Sequence, residues 1–198
     1  MHPAFSVIFF TVVSGAGYAL ISLLCLFNFL NFGMLIDKNT FFIIAITSAV
    51  LFTMGLISST FHLANPKNAW RAFMRFKTSW LAREGLLAIL FYPILALYLY
   101  FIYIDMQINN FMLMQYYSFL IFTMSVVIIY CTGMIYACLK TIPQWNTIWT
   151  PINYITIGFA LAALIFFFIL NLNGYDTTSY ENYILSMIAF SLATKLTY

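Results

Sequence analysis

One stretch of the chain, residues 61–85 (FHLANPKNAWRAFMRFKTSWLAREG), holds most of the residues that could do chemistry. His62 and Glu84 bracket it, and five of the eight Lys and Arg residues lie between them. An imidazole titrates near neutral pH, and burial tunes a carboxyl group toward the same range. Such a pair beside a hydrophobic crevice could bind a quinol head group and accept its protons. Two simpler explanations stay open: a Glu at a helix N-terminus is stabilised by the helix dipole, and a terminal His can be solvated.

The basic residues between them are regularly spaced. Lys67, Arg71 and Arg75 follow each other at intervals of four, which places them in one stripe on a helix. The pattern predicts a short interfacial amphipathic helix at about residues 66–78, beginning near Pro66. Its charge has two possible explanations: it sets the orientation of the protein in the membrane and binds anionic lipid headgroups, or it docks an acidic protein partner.

The remaining candidates for metal or haem chemistry are few. The chain has only two His, and His2 at the terminus is a poor fixed ligand, so no haem is expected. Three Cys lie in apolar runs without metal-ligand spacing and are expected to be buried free thiols. No metal site is expected. The basic residues adjoin apolar runs and form no long basic face, which argues against nucleic acid as a partner.

The elements that must position these residues are membrane helices. The chain is 64% hydrophobic and only 7% charged, and its apolar runs reach the roughly 20 residues that cross a bilayer. Backbone groups in lipid must be satisfied within such a run, so helix is the expected state. We predict an all-α, polytopic transmembrane helix bundle in a single integral-membrane domain. Its spans are expected at about 5–30, 41–63, 85–104, 112–139 and 152–172, with a partial sixth at 184–198 that makes the chain look shortened at its C-terminus.

The connections between these spans differ in charge on the two sides of the membrane. Side A holds the N-terminus and the links at 64–84 and 140–151, and side B holds the other links. Side A carries Lys67, Arg71, Arg75, Lys77, Arg83 and Lys140 against Glu84, and side B carries Lys38 against Asp37, Asp105, Asp176 and Glu181. The positive-inside rule therefore predicts that side A, including the basic 64–84 stretch, is cytoplasmic.

Three motifs in order carry a family resemblance: FHLANPKNAWRAF, then TSWLAREG, then LKTIPQWNTIWTPINY. Together they resemble the dimethyl sulfoxide reductase anchor-subunit family (DmsC-like), and the resemblance runs the length of the chain. It implies an inner-membrane protein without haem or metal that oxidises a quinol, usually menaquinol, in anaerobic electron transport. It also implies two partners: a four-cluster iron–sulfur subunit, which receives the electrons, and a molybdopterin catalytic subunit.

The resemblance also assigns residues. His62 matches the family's quinol-site His in its H-L motif, and Glu84 matches the functional acid that ends its S-x-L-x-x-E motif. The basic stretch then becomes the docking bed of the iron–sulfur subunit, formed by Lys67, Arg71, Arg75, Lys77 and Arg83 with Trp70 and Trp80 as anchors. If the basic stretch serves to dock a partner, its charge need not indicate which side of the membrane is cytoplasmic. The chain departs from the family pattern at Ala64 and Asn68, where Gly and Arg are usual, and in having fewer than the usual eight spans.

Two other function classes remain open from the sequence alone. A secondary transporter is expected to show broken helices, inverted repeats and charges near the midplane. This chain has no evident internal repeat, and its charges lie at helix ends except for Lys195. A purely structural membrane tether would differ from a quinol-oxidising anchor by its indifference to a quinol analogue.

Overall fold

The fold consists of helices packed side by side. The structure is a computed structural model that describes residues 5–30, 36–60, 74–104, 111–178 and 181–197. The described residues form six α-helices: α1 Phe5–Leu30, α2 Lys38–Thr60, α3 Trp80–Tyr103, α4 Phe111–Ala137, α5 Trp149–Leu172 and α6 Glu181–Leu196. The first five are long and apolar enough to cross a membrane, whereas α6 has 16 residues. The predicted all-α, polytopic bundle is confirmed.

Helix α1 occupies the centre of the bundle. It packs against α2, α4 and α5, while α3 packs mainly against α4, and α6 against α5. Every residue from Ala16 to Cys25 is buried. A helix that is apolar on all sides suits this central position, because each of its faces packs against another helix.

Helices α1 and α2 approach each other closely at small residues. A Cβ atom added to Gly17 would lie 2.6 Å from the backbone nitrogen of Phe52 and 2.9 Å from the carbonyl oxygen of Ser48. A Cβ atom on Gly55 would lie 2.7 Å from the Cβ of Ser14. The close approach lets the Ser48 hydroxyl donate a hydrogen bond of 2.7 Å to the Gly17 carbonyl. Small residues and interhelical hydrogen bonds are the features that hold helices together in lipid.

Aromatic rings connect α3 to this pair. Tyr18 of α1 stacks on Phe52 of α2 with ring centroids 4.7 Å apart, and Phe91 of α3 meets Phe52 edge-on at 5.6 Å. The hydroxyl groups of Tyr92 and Thr53 lie 2.8 Å apart. Helices α2 and α3 therefore meet through side chains rather than through closely packed backbones.

On side B, Asp37 caps α2. One oxygen of its carboxylate accepts hydrogen bonds from the backbone N–H groups of Asn39 (3.0 Å) and Thr40 (3.2 Å), which is the usual arrangement at a helix N-cap. The other oxygen accepts from the hydroxyl group of Tyr175, which follows α5. Hydrogen bonds from Thr40 and Tyr175 lower the pKa of Asp37 to about 2. The start of α2 is thus tied to the connection between α5 and α6.

A small polar cluster lies in the side B half of the bundle. The Asn28 amide donates to the Tyr98 hydroxyl at 2.8 Å and to the Ser118 hydroxyl at 3.2 Å. The two hydroxyl groups lie 2.7 Å apart. In these contacts, polar groups from α1, α3 and α4 form hydrogen bonds with one another. Their burial among apolar side chains therefore costs little free energy.

Candidate functional site

Glu84 lies inside helix α3 rather than at its start. The helix begins at Trp80, whereas the sequence pattern predicted that this span starts at Gly85, with Glu84 opening it. That prediction is wrong because Ser79 caps the helix: its hydroxyl accepts a hydrogen bond from the backbone N–H of Ala82 at 3.4 Å. Glu84 therefore lies beyond the first turn of α3. At that position the backbone N–H groups are already paired within the helix, so they cannot stabilise the carboxylate as free N–H groups at a helix start would.

The Glu84 carboxyl is buried against helix α4. Its side chain is 4% exposed, and Thr132, at 5%, donates a hydrogen bond from its hydroxyl to a carboxyl oxygen of Glu84. Among the described residues, Thr132 is the hydrogen-bond partner of this carboxyl. A buried carboxylate is costly unless it is paired, and ionisable side chains inside a membrane domain mark candidate functional sites.

Three phenol groups lie close enough to this carboxyl to interact with it electrostatically. Tyr18 of α1, Tyr136 of α4 and Tyr154 of α5 all lie within electrostatic range of Glu84. The rings of Tyr136 and Tyr154 stack with their centroids 5.5 Å apart. The Tyr18 hydroxyl is buried and has no hydrogen-bond partner in the described part of the chain. Helices α3, α4 and α5 thus place one carboxyl, one threonine hydroxyl and the phenols of Tyr136 and Tyr154 near the side A end of the bundle. The Tyr18 phenol of α1 lies nearer the middle of the bundle, beside Phe91.

The turn before α3 is held by Arg83. Its guanidinium lies 4.2 Å above the Trp80 ring and donates hydrogen bonds to the carbonyl oxygens of Phe76 (3.0 Å) and Lys77 (2.7 Å). Lys77 and Arg75 are exposed on this turn. Arg83 therefore orders the turn, on which Arg75 and Lys77, two of the basic residues predicted for docking, are exposed.

The sequence profile of a family described as "DMSO reductase anchor subunit (DmsC)" matches residues 1–197. The chain belongs to the DmsC family. The resemblance predicted from the three motifs is confirmed, and with five apolar helices this DmsC-family chain is a multi-pass membrane protein.

One relative of this DmsC-family chain is a sulfite dehydrogenase subunit of Allochromatium vinosum. The two are 29% identical over 174 residues, which covers 81% of this chain and 53% of the relative. The chain thus spans about half the length of that relative. No solved structure matches it.

Several predicted site residues of the DmsC-family chain lie outside the described residues. These are His62, Lys67, Trp70 and Arg71, so the pairing of His62 with Glu84 stays a prediction. The interfacial helix predicted at about 66–78 is also largely outside them. Its described end, 74–78, forms a 3₁₀ turn followed by hydrogen-bonded turn residues. Among the described residues, no group of three or more His, Cys, Asp or Glu side chains is arranged to hold a metal ion.

Sequence reasoning missed the residues around Glu84. Thr132 lies 48 positions further along the chain in an apolar run, and no local pattern distinguishes it. The same holds for Tyr18, Tyr136 and Tyr154. Ser79 was the one available signal, since a Ser before an apolar helical run is a typical N-cap, and it would have moved the start of α3 to Trp80.

Proposed function

We propose that this DmsC-family chain is the membrane anchor subunit of a molybdopterin oxidoreductase and that it binds and oxidises menaquinol in the inner membrane. The electrons pass to a four-cluster iron–sulfur subunit and then to a molybdopterin catalytic subunit, in anaerobic electron transport. The family description and the name of the relative support this proposal, because both name subunits of redox enzymes.

The observation that carries the proposal is the buried carboxyl of Glu84. Oxidation of a quinol yields a quinone, two electrons and two protons, so its site needs proton acceptors next to apolar space. Glu84 supplies one acceptor at the side A end of the bundle, with the neutral hydroxyl of Thr132 as its partner. We assign the second to His62, on the basis of its position at the end of the second predicted span and its match to the family's H-L motif. An imidazole near neutral pH can take up a proton and release it again.

The basic stretch is proposed as the docking surface of the iron–sulfur subunit on the cytoplasmic side. It comprises Lys67, Arg71, Arg75, Lys77 and Arg83, with Trp70 and Trp80 as anchors. The support within the described part is the turn ordered by Arg83, which leaves Arg75 and Lys77 exposed. Exposed basic side chains beside a membrane suit an acidic protein surface and steer its association.

The quinol assignment is tested by replacing the two proton acceptors. Glu84→Gln and His62→Ala are expected to abolish quinol-driven electron transfer in membranes that contain the assembled complex, while the partner subunits still co-purify. Glu181→Gln is the matched control, because Glu181 is an exposed carboxyl at the start of α6. Unchanged quinol-dependent turnover in both site variants would refute the assignment. Full assembly with no inhibition by a quinol analogue would leave only a structural tether.

The docking assignment is tested by charge reversal. Arg75→Glu together with Lys77→Glu is expected to weaken co-purification of the iron–sulfur subunit. Lys140→Glu is the control, since Lys140 is exposed on the same side of the membrane but outside the stretch. Equal weakening by the control would show that the general charge of side A matters and would contradict a local docking surface.

A further inference from the structure

The hydroxyl group of Thr132 has two acceptors within reach but only one hydrogen to donate. Its oxygen forms a hydrogen bond with Glu84 and lies 3.1 Å from the carbonyl oxygen of Ile128, one turn earlier in the same helix. A threonine hydroxyl carries one hydrogen and can also accept. In helices, its usual acceptor is the carbonyl four residues back.

The two contacts therefore correspond to two protonation states of Glu84. When the carboxyl is ionised, Thr132 donates its hydrogen to the carboxylate. When the carboxyl is protonated, the acid donates to the Thr132 oxygen, and the hydroxyl turns its own hydrogen to Ile128. Thr132 gains and loses no proton in this exchange; only its O–H bond rotates.

We propose that Thr132 is a positioning residue for proton transfer, which holds the Glu84 carboxyl hydrogen-bonded both before and after it receives a proton. The inference rests on the proposed function, in which one hydroxyl proton of the quinol goes to the Glu84 carboxylate and the two electrons go to the iron–sulfur subunit. Because the partner is kept in both states, the carboxyl need not move or remain unpaired in the apolar interior while the proton is exchanged.

The neighbouring groups allow Glu84 to be observed separately. Among the described residues, those within electrostatic range are Tyr18 of α1, Cys131 and Tyr136 of α4, and Tyr154 of α5. Phenols and thiols ordinarily keep their protons below about pH 8. Arg83, next to Glu84 in α3, has no carboxyl group. A carboxylic-acid band in the infrared spectrum that disappears in Glu84→Gln therefore reports the protonation of this side chain alone. His62 has no such band.

The test compares Thr132→Val with Thr132→Ser in the assembled complex. Valine keeps the shape but removes the hydroxyl. Both states of the carboxyl lose a hydrogen bond, and the ionised state loses more because its bond is charge-assisted. The midpoint of the Glu84 infrared titration is expected to rise by about one to two pH units. The acid limb of the pH profile of quinol turnover should move to higher pH by the same amount. Thr132→Ser is expected to restore both.

Thr123→Val provides the matched control. Thr123 lies in the same helix and is partly exposed, and among the described residues its hydroxyl bonds to two carbonyl oxygens of its own helix, those of Phe119 and Leu120. No shift is expected there. An unmoved midpoint in Thr132→Val, or an equal shift in Thr123→Val, would overturn the role of Thr132. Retained turnover in both Glu84→Gln and His62→Ala would instead overturn the proposed function, so the two failures are distinguishable.

Discussion

Replacing Gly17 by alanine is expected to separate α1 from α2. The added methyl group would lie 2.6 Å from the backbone nitrogen of Phe52 and 2.9 Å from the carbonyl oxygen of Ser48. Both are backbone atoms, so no side-chain rotation can make room and the helices themselves must move apart. Gly15 in the same helix is the matched control, because a Cβ added there meets nothing within 4 Å.

The size of the effect follows from these contacts. Overpacking of a closely packed interface costs about 1–3 kcal/mol. Separation of the helices also weakens the hydrogen bond from Ser48 to the Gly17 carbonyl, and interhelical hydrogen bonds in membrane proteins average about 0.6 kcal/mol. The gain in helix propensity on replacing Gly by Ala, about 0.5–1 kcal/mol, is common to both positions and cancels in the comparison. Gly17→Ala should therefore be less stable than Gly15→Ala by about 1.6–3.6 kcal/mol.

The buried cysteines offer an assay for this difference. The expectation of buried thiols is confirmed for Cys25 and Cys131 and is wrong for Cys138, which is exposed because it follows the end of α4. Cys138 is therefore best replaced by Ser in all variants. A thiol-reactive dye then labels the detergent-solubilised protein only as it opens. A loss of about 1.6 kcal/mol raises the open fraction by about 15-fold, so Gly17→Ala should label at least about 15 times faster than Gly15→Ala. Equal labelling rates would refute the close α1–α2 contact.

Three further outcomes are expected. The pKa of Asp37 in the folded protein, about 2, lies below the usual value of about 3.9, so its stabilising contribution is complete above about pH 4 and disappears as the pH falls through 2. The unfolding temperature of the wild type should fall over this range, and that of Asp37→Asn should fall less; parallel profiles would contradict this. Arg83→Met removes the donors that hold the turn before α3, and cleavage after Lys77 by a lysine-specific protease should accelerate; an unchanged rate would show that the turn does not depend on them. Gly133→Ala would place a methyl group 2.6 Å from the Cα of Pro151 and should lower stability by about 1–3 kcal/mol, measured by thermal unfolding in detergent; an unchanged unfolding temperature would contradict the contact.

The helices could be predicted from the sequence because lipid leaves the backbone little choice. Apolar runs of about 20 residues must satisfy their own hydrogen bonds, and this requirement determines helix number and type without any knowledge of packing. Helix ends are determined by local polar contacts instead. The start of α3 was missed because Arg83 and Glu84 made the segment look like part of the polar link, although Ser79 already caps the helix.

The candidate site was predictable only in part. Glu84 was recognisable as a rare acid next to a span, but its burial and its bond to Thr132 depend on how α3 packs against α4. Residues 48 positions apart share no local pattern, and an apolar helix with a threonine gives no sign of which face it presents. The role of His62 stays a prediction, because it lies outside the described residues.

The contact between Asp37 and Tyr175 bears on how the protein is made. The two residues are 138 positions apart, and helices α1 to α5 of the described residues precede Tyr175. A chain that emerges from the ribosome in order has formed the start of α2 long before Tyr175 is synthesised. Until then the Asp37 carboxylate has only its own helix to bond with. The contact between Asp37 and Tyr175 is consequently among the last to form during biosynthesis. It can form only after the chain has been synthesised and inserted as far as the end of α5.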